Sequence, residues 1–282
     1  MKTSEMIDPT RYRTMFDVED EHWWFRGMEQ ITAQLLDAVS ARGGLPPRTA
    51  CRVLDAGCGT GRNLRFLQRY GAAIAGIDFA MDALGPCGER GFGGRLARAS
   101  VNSLPFADAS FDLVTCFDVL VTQGVNDASA LAEFFRVLRP GGWVFVRVAA
   151  YDWLRGRHDI AWRVAHRYLR GELKTKLQRA GFSVERTSYA NAWLFPVAVA
   201  KRLTDGYLSA PASKAEDDLR HGAGSGLLGR LLAGVLASEA PLVARLPGGL
   251  PWGLSLVALA RKPGSADGHA SAHGAAQKEV DG

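Results

Sequence analysis

The stretch Val53-Leu54-Asp55-Ala56-Gly57-Cys58-Gly59-Thr60-Gly61-Arg62-Asn63 carries an apolar run into a three-glycine loop and on toward a helix. Glycine lets a backbone turn tightly and lets a ligand approach with no Cβ in the way. The N–H groups at the start of the following helix face a polar ligand. The next apolar run ends in Asp78, near the spacing at which an acid accepts hydrogen bonds from both ribose hydroxyls. This pattern binds a nucleoside-bearing ligand, and by itself it leaves the choice of nucleotide open.

A second group of residues could move protons. His158 stands next to Asp159, and a histidine beside an acid can serve as a base because its pKa lies near working pH. The alternative is that Asp159 caps a helix beginning near Ala161. His22 is a third candidate. The surrounding segment, Tyr151–Leu177, is rich in arginine and lysine, which suits an acidic substrate, a carrier protein or an anionic surface, or else a solvated helix face. It lacks the interleaved aromatics of a nucleic-acid groove, so no nucleic-acid partner is expected.

These residues need elements to hold them. Asp17 to about Ser40 is expected to be one helix, with Trp24, Met28, Ile31, Leu35 and Val39 on one apolar stripe. From Cys51 onward, short apolar runs alternate with helical stretches. The strand expectations are Cys51–Ala56, Ala72–Asp78, Arg95–Ser100, Phe111–Phe117 and Trp143–Ala149, and the helices between them are Asn63–Tyr70, Met81–Glu89 and Ala128–Leu138. Such alternation means βαβ units and a mostly parallel sheet. Further on, the pattern predicts a helix over Ala161–Gly181 and strands over Phe182–Tyr189 and Gly253–Arg261. Asn191–Leu203 and Leu227–Leu246 are apolar and helical, Asp205–Gly226 is a loop, and Lys262–Gly282 is a disordered tail.

Composition narrows the class. At 47% apolar residues the 282-residue chain can bury a real core, and a net charge of +5 permits an acidic partner without requiring one. Cys51, Cys58, Cys87 and Cys116 form no CxxC pair and no zinc spacing, so reduced thiols, no metal and a cytoplasmic location are expected. The first residues show no apolar signal-peptide run. Arg230, Glu239, Pro241 and Arg245 interrupt the most apolar stretch, which argues against integral membrane association.

The GxGxG loop with its acid, together with "LPFADASFDLV" (Leu104–Val114) and "RVLRPGGWVFVRV" (Arg136–Val148), resembles the class I S-adenosylmethionine-dependent methyltransferases, in their small-molecule branch. The resemblance covers roughly Asp17 to Arg261. It implies a doubly wound, Rossmann-like, mostly parallel seven-stranded sheet with an N-terminal helical cap (residues 1–45), a core domain (46–261) carrying a helical insertion at about 191–250, and a tail (262–282). The implied cofactor is S-adenosyl-L-methionine. Asp55, Gly57, Cys58, Gly59, Gly61 and Asn63 would hold its methionine part, and Asp78 its ribose, with Phe79 on the adenine. Ser100, Val101 and Asn102 occupy the adenine-side position, where relatives often carry an acid. Phe117, Asp118 and Val119 come near the sulfonium end.

The resemblance also shows departures. Relatives often have histidine shortly after the fourth strand, where this chain has Thr122, followed by Gln123. That removes the usual base and points to His158 and Asp159 as the catalytic pair. Trp153-Leu154, His158-Asp159 and His166-Arg167-Tyr168 match elements after the fifth strand in some relatives, so Gln123, His166 and Tyr168 are taken as substrate-binding. N-terminal helices in the family often close over the cofactor and substrate. A sulfonium is attracted to an aromatic face, so Trp23 or Phe25 would roof the pocket while Trp24 packs in the core. The implied activity is methylation of a small organic molecule in a biosynthetic setting. The alternatives are a non-methylating use of the same cofactor, such as internal displacement or cyclisation, and a non-catalytic subunit of the same fold. A homodimer or a partner protein is left open.

Overall fold

The computed structural model describes residues 7–205 and 226–264. Seven strands form one sheet: β1 (Arg52–Ala56), β2 (Ala73–Asp78), β3 (Leu96–Arg98), β4 (Phe111–Phe117), β5 (Leu138–Ala149), β6 (Ser183–Ala190) and β7 (Ser255–Arg261). Their order is β3-β2-β1-β4-β5-β7-β6. All neighbours pair in parallel except β7, which runs antiparallel to both β5 and β6. Every residue of β4 is buried, as a central strand covered on both faces requires. The order reverses at β1 and β4, and ligands of open α/β sheets bind outside the strand carboxyl ends at that point.

The N-terminal helix of the sequence reading is in fact two helices, α1 (Pro9–Val18) and α2 (Trp23–Ala41). The break has a physical cause. Glu19 accepts from the Thr60 hydroxyl at 2.5 Å and pairs with Arg90 at 2.8 Å, and Asp20 pairs with Arg65 and Arg90 at 2.7 and 2.9 Å. The His22 ring then caps α2 by accepting from the Trp24 N–H at 3.2 Å. Met28, Ile31, Leu35 and Val39 are buried as the stripe predicts, whereas Trp24 is only half-buried.

Between the early strands lie α3 (Arg62–Leu67) and α4 (Met81–Cys87), and α5 (Asp127–Val137) precedes β5. The expected helix over 161–181 is also divided. A short α6 (Arg157–Ala161) and α7 (Arg170–Arg179) flank an extended piece in which Arg163 takes φ +54°. Cross-chain pairing overrides helix propensity there. Ala165 N–H donates to Val121 O at 2.7 Å, Gln123 N–H to Arg163 O at 2.9 Å, and Tyr168 N–H to Ala149 O at 2.9 Å.

After β6 come α8 (Phe195–Asp205), α9 (Leu227–Ala237) and α10 (Ala240–Arg245). Helix α9 lies so close to α2 that a Cβ on Gly27 would sit 2.7 Å from Leu236. Leu227–Arg245 is long and apolar enough to cross a membrane by length and composition alone. Here it is two helices with the fully buried Glu239 at their junction. The expected loop falls almost wholly outside the described residues, as does the expected tail beyond Gly264. All four cysteines are buried free thiols.

Candidate active site

The glycine loop leaves β1 with Gly57, Gly59 and Gly61 at φ +90°, +53° and +86°. At Gly57 the conformation and the space both demand glycine, because a Cβ there would lie 2.1 Å from Cγ2 of Val119. Gly59 donates its N–H to Asp78 Oδ2 at 2.9 Å, and the other Asp78 oxygen accepts from the Ala80 N–H at 2.8 Å. The acid at the end of β2 is therefore fixed against the loop at the end of β1. Burial pushes the Asp78 carboxyl up, while the amides of Ala80, Gly59 and Phe79 pull it down.

Asp55 lies behind the loop and is fully buried. Its Oδ1 accepts from the Thr115 hydroxyl at 2.8 Å, and its Oδ2 has no partner among the described residues. Burial raises its carboxyl to about 7, against the downward pull of Thr115 and the Arg147 charge. Arg62 is 7% exposed and pairs with Glu29 at 2.8 Å, and its Nε lies 3.8 Å from Asp20 without a hydrogen-bond partner among the described residues.

A cavity of about 1340 Å³ opens in front of these groups. Gly57, Cys58, Gly59, Asn63, Asp78 and Phe79 line one end of it, with Ser100 and Val101 beside them. Phe117, Asp118 and Val119 line its middle. Three of the predicted cofactor residues sit off its wall. Asp55 is buried behind the loop, Gly61 caps α3, and Asn102 turns away, donating to Gly124 O and accepting from Asn126 N–H, both at 3.0 Å.

Trp23, Trp24 and Phe25 all line the cavity, which corrects the assignment of Trp24 to the core alone. Trp24 meets Phe25 edge-on at 5.0 Å and covers the Arg147 guanidinium at 4.7 Å. His22 stacks on Trp23 at 5.7 Å, and burial lowers its pKa. Thr122 and Gln123 line the far side, where Gln123 accepts from Arg163 at 2.6 Å.

The predicted catalytic pair separates in role. His158 and Asp159 both border the cavity. The Asp159 carboxylate is taken up by Arg167 at 2.8 and 3.1 Å and by the Gly156 N–H at 2.6 Å. It thus fixes its own loop from the third position of α6, not as the cap of a helix beginning near Ala161, where α6 ends. Two predicted substrate residues lie outside the cavity. His166 is held between Asp152 at 2.7 Å and Glu172 at 2.9 Å. Tyr168 is 1% exposed, and its hydroxyl donates to Asp127 at 2.8 Å. The extended course of residues 162–169, absent from a helical reading, turns both away.

Other residues of the wall were missed. Tyr12 and Met15 come from α1 and Glu19 from its C-cap, and their three-and-four spacing was a signal available in the sequence. Arg147 at the end of β5 is 5% exposed and ion-paired with Asp118 at 2.6 Å. Asp118 itself holds φ +59°. Nothing local marks that pair, since it forms only when β4 and β5 lie side by side.

Residues 54–146 match the family model described as a methyltransferase domain. The matched segment is a methyltransferase domain, and the chain is similar to S-adenosylmethionine-dependent methyltransferases. It is 34% identical over 135 residues to the malonyl-[acyl-carrier protein] O-methyltransferase of Enterobacter lignolyticus, covering 48% of this chain and 52% of that one. It is 33% identical over 156 residues to the ubiquinone biosynthesis O-methyltransferase of Hahella chejuensis, covering 51% and 63%. The chain thus spans about half to three-fifths of the length of these relatives. A solved S-adenosylmethionine-dependent methyltransferase from Mesorhizobium loti shares its fold, with TM-score 0.50 and 19% identity over 79% of this chain and 95% of the other.

The residues of this chain fit S-adenosyl-L-methionine. The amino-acid end of that molecule carries an ammonium and a carboxylate. Arg62 lines the cavity beside the glycine loop, and the buried Asp55 carboxyl lies behind that loop with one oxygen lacking a hydrogen-bond partner among the described residues. Asp78 offers a carboxylate at the ribose position, and Phe79 an exposed ring carrying Arg98 at 5.7 Å.

Proposed function

We propose that this protein transfers a methyl group from S-adenosyl-L-methionine to an oxygen of a small organic molecule. One observation carries the reading. A single cavity joins the glycine-loop and Asp78 end to a largely apolar chamber over β4, β5 and β7, walled by side chains such as Val121, Leu154 and Leu254. When bound, the cofactor supplies an activated methyl group, so the protein's work is alignment and exclusion of water. In this reading Asp78 and the loop orient the cofactor, and Trp23 and Phe25 close over it. His158 takes the acceptor's proton, while Asp159 and Arg167 hold the α6 turn that presents it. Two of the curated relatives are named O-methyltransferases, which makes oxygen the acceptor to test first. We place the reaction in the cytoplasm, in keeping with four buried free thiols.

The test is calorimetric titration of S-adenosylhomocysteine into the full chain, followed by mass spectrometry of products. Binding is expected, and Asp78→Ala should weaken it at least about tenfold by removing the ribose acceptor. Unchanged affinity in that variant refutes this placement of the cofactor. A product heavier by one CH₂ separates methylation from a cyclisation.

A further inference from the structure

Asn191 follows β6, at the opposite side of the sheet from the glycine loop. Several independent observations meet at this residue. It is 2% exposed and borders the cavity. Its backbone sits at φ +60°, a left-handed conformation that a non-glycine residue keeps only when its surroundings impose it. Its Oδ1 has no hydrogen-bond partner among the described residues. A buried amide oxygen left in that state weakens the fold, and such a group is a site at which strain and function coincide.

The turn that presents Asn191 is itself anchored. Glu239, fully buried between α9 and α10, accepts from the Trp193 N–H at 2.9 Å, and the amides of Ala192 and Asn191 face the same carboxylate. The C-terminal helices therefore brace one position of the cavity wall. Two further buried polar side chains border the same cavity. The register sets Ala149, Ser255 and Ala190 side by side across β5, β7 and β6, with Arg147 one pleat back on β5. Arg147 and Ser255 are each 5% exposed, and both border the cavity. A few fixed polar groups in an apolar chamber are what give a small-molecule pocket its selectivity.

We propose that Asn191 selects the acceptor substrate: its carboxamide oxygen accepts a hydrogen bond from a hydroxyl on a small, largely apolar molecule, whose neighbouring oxygen faces the Arg147 guanidinium. This assignment rests on the proposed methyl transfer, because it takes the end of the cavity beyond the cofactor as the acceptor's place. The substrate class is a hydroxylated carbonyl or carboxylate compound. A site built to hydrogen-bond a hydroxyl rejects the analogue lacking it, since the buried acceptor is then left without a partner.

The experiment uses the full chain saturated with S-adenosylhomocysteine. The probes are two matched pairs, salicylaldehyde with its methyl ether and salicylate with its methyl ether, measured by calorimetry or ligand-observed NMR. In the unaltered protein the hydroxyl member of at least one pair should bind at least about tenfold more tightly than its ether. Asn191→Gly keeps the left-handed backbone and removes the acceptor, so the gap should fall below about threefold. Asn191→Asp keeps an acceptor and should keep the gap. Affinity for S-adenosylhomocysteine should be the same in all three. Equal binding within both pairs in the unaltered protein overturns the assignment, as does failure of both pairs to bind or a gap that survives in Asn191→Gly. The comparison in the unaltered protein decides the matter even where the Gly variant does not fold. Loss of S-adenosylhomocysteine binding in the unaltered protein would instead remove the methyltransferase reading beneath it.

Discussion

Asp55→Asn should make the ligand-free protein more stable at alkaline pH and worse at holding its cofactor. Asp55 is fully buried, its Oδ2 has no partner among the described residues, and burial raises its carboxyl from 3.8 to about 7. The sign follows from proton counting. Between those two values the folded state binds a proton that the unfolded state has released, so stability falls as pH rises through that window. At about 1.4 kcal/mol per pH unit, the ionised carboxylate costs the folded protein about 4 kcal/mol at pH 8.5. With relaxation around the charge taking up half, about 2 kcal/mol remains, or a Tm shift of roughly 4–8 °C for a chain of this size. Asparagine has the same shape and no charge, and its oxygen can still accept from Thr115. Thermal melts of both proteins at pH 4, 5.5 and 8.5 should show a gap near zero at pH 4 that is about half open at pH 5.5 and levels off above about 7, in favour of Asp55→Asn. Calorimetry with S-adenosylhomocysteine at pH 8.5 should show at least about tenfold weaker binding in the variant, because the ammonium loses its carboxylate. A gap that is constant with pH, or a variant less stable at pH 8.5, would refute the reasoning.

Gly57→Ala should lose about 3 kcal/mol or fail to fold, because φ +90° and the 2.1 Å approach of Val119 both exclude a Cβ; denaturant melts measure this. Trp23→Ala should keep its fold, since the ring is only half-buried, while acceptor affinity and turnover both fall. Survival of both activities in the folded variant removes the roof assignment. His158→Gln should lower kcat and flatten its rise with pH through the imidazole range, leaving S-adenosylhomocysteine affinity unchanged; an unaltered pH profile discards it as the base.

How much could be read in advance depended on how local each feature was. The strand-loop-helix run from Val53 to Asn63 and the acid Asp78 were legible, because glycine spacing and an apolar run are properties of consecutive residues. Phe111–Phe117 was placed to the residue, since a strand buried on both faces is apolar throughout. The two long helices were over-extended. Periodicity continues through Glu19–His22 and through 162–169, and what interrupts it comes from elsewhere in the chain: Arg90 and Thr60 in one case, Val121 and Ala149 in the other.

The sequence by itself determined the doubly wound sheet and the cofactor end of the cavity, because alternating apolar periods and a glycine loop encode both within a few dozen neighbouring residues. Tertiary structure alone decided the other end of the cavity. Arg147 meets Asp118 only across paired strands, and Glu239 reaches the turn at Asn191 only after α9 has docked on α2. His166 and Tyr168, which resembled site residues in sequence, were drawn into bonds with Glu172 and Asp127. Partners distant in the chain set those side-chain directions, and residue spacing carries no record of them.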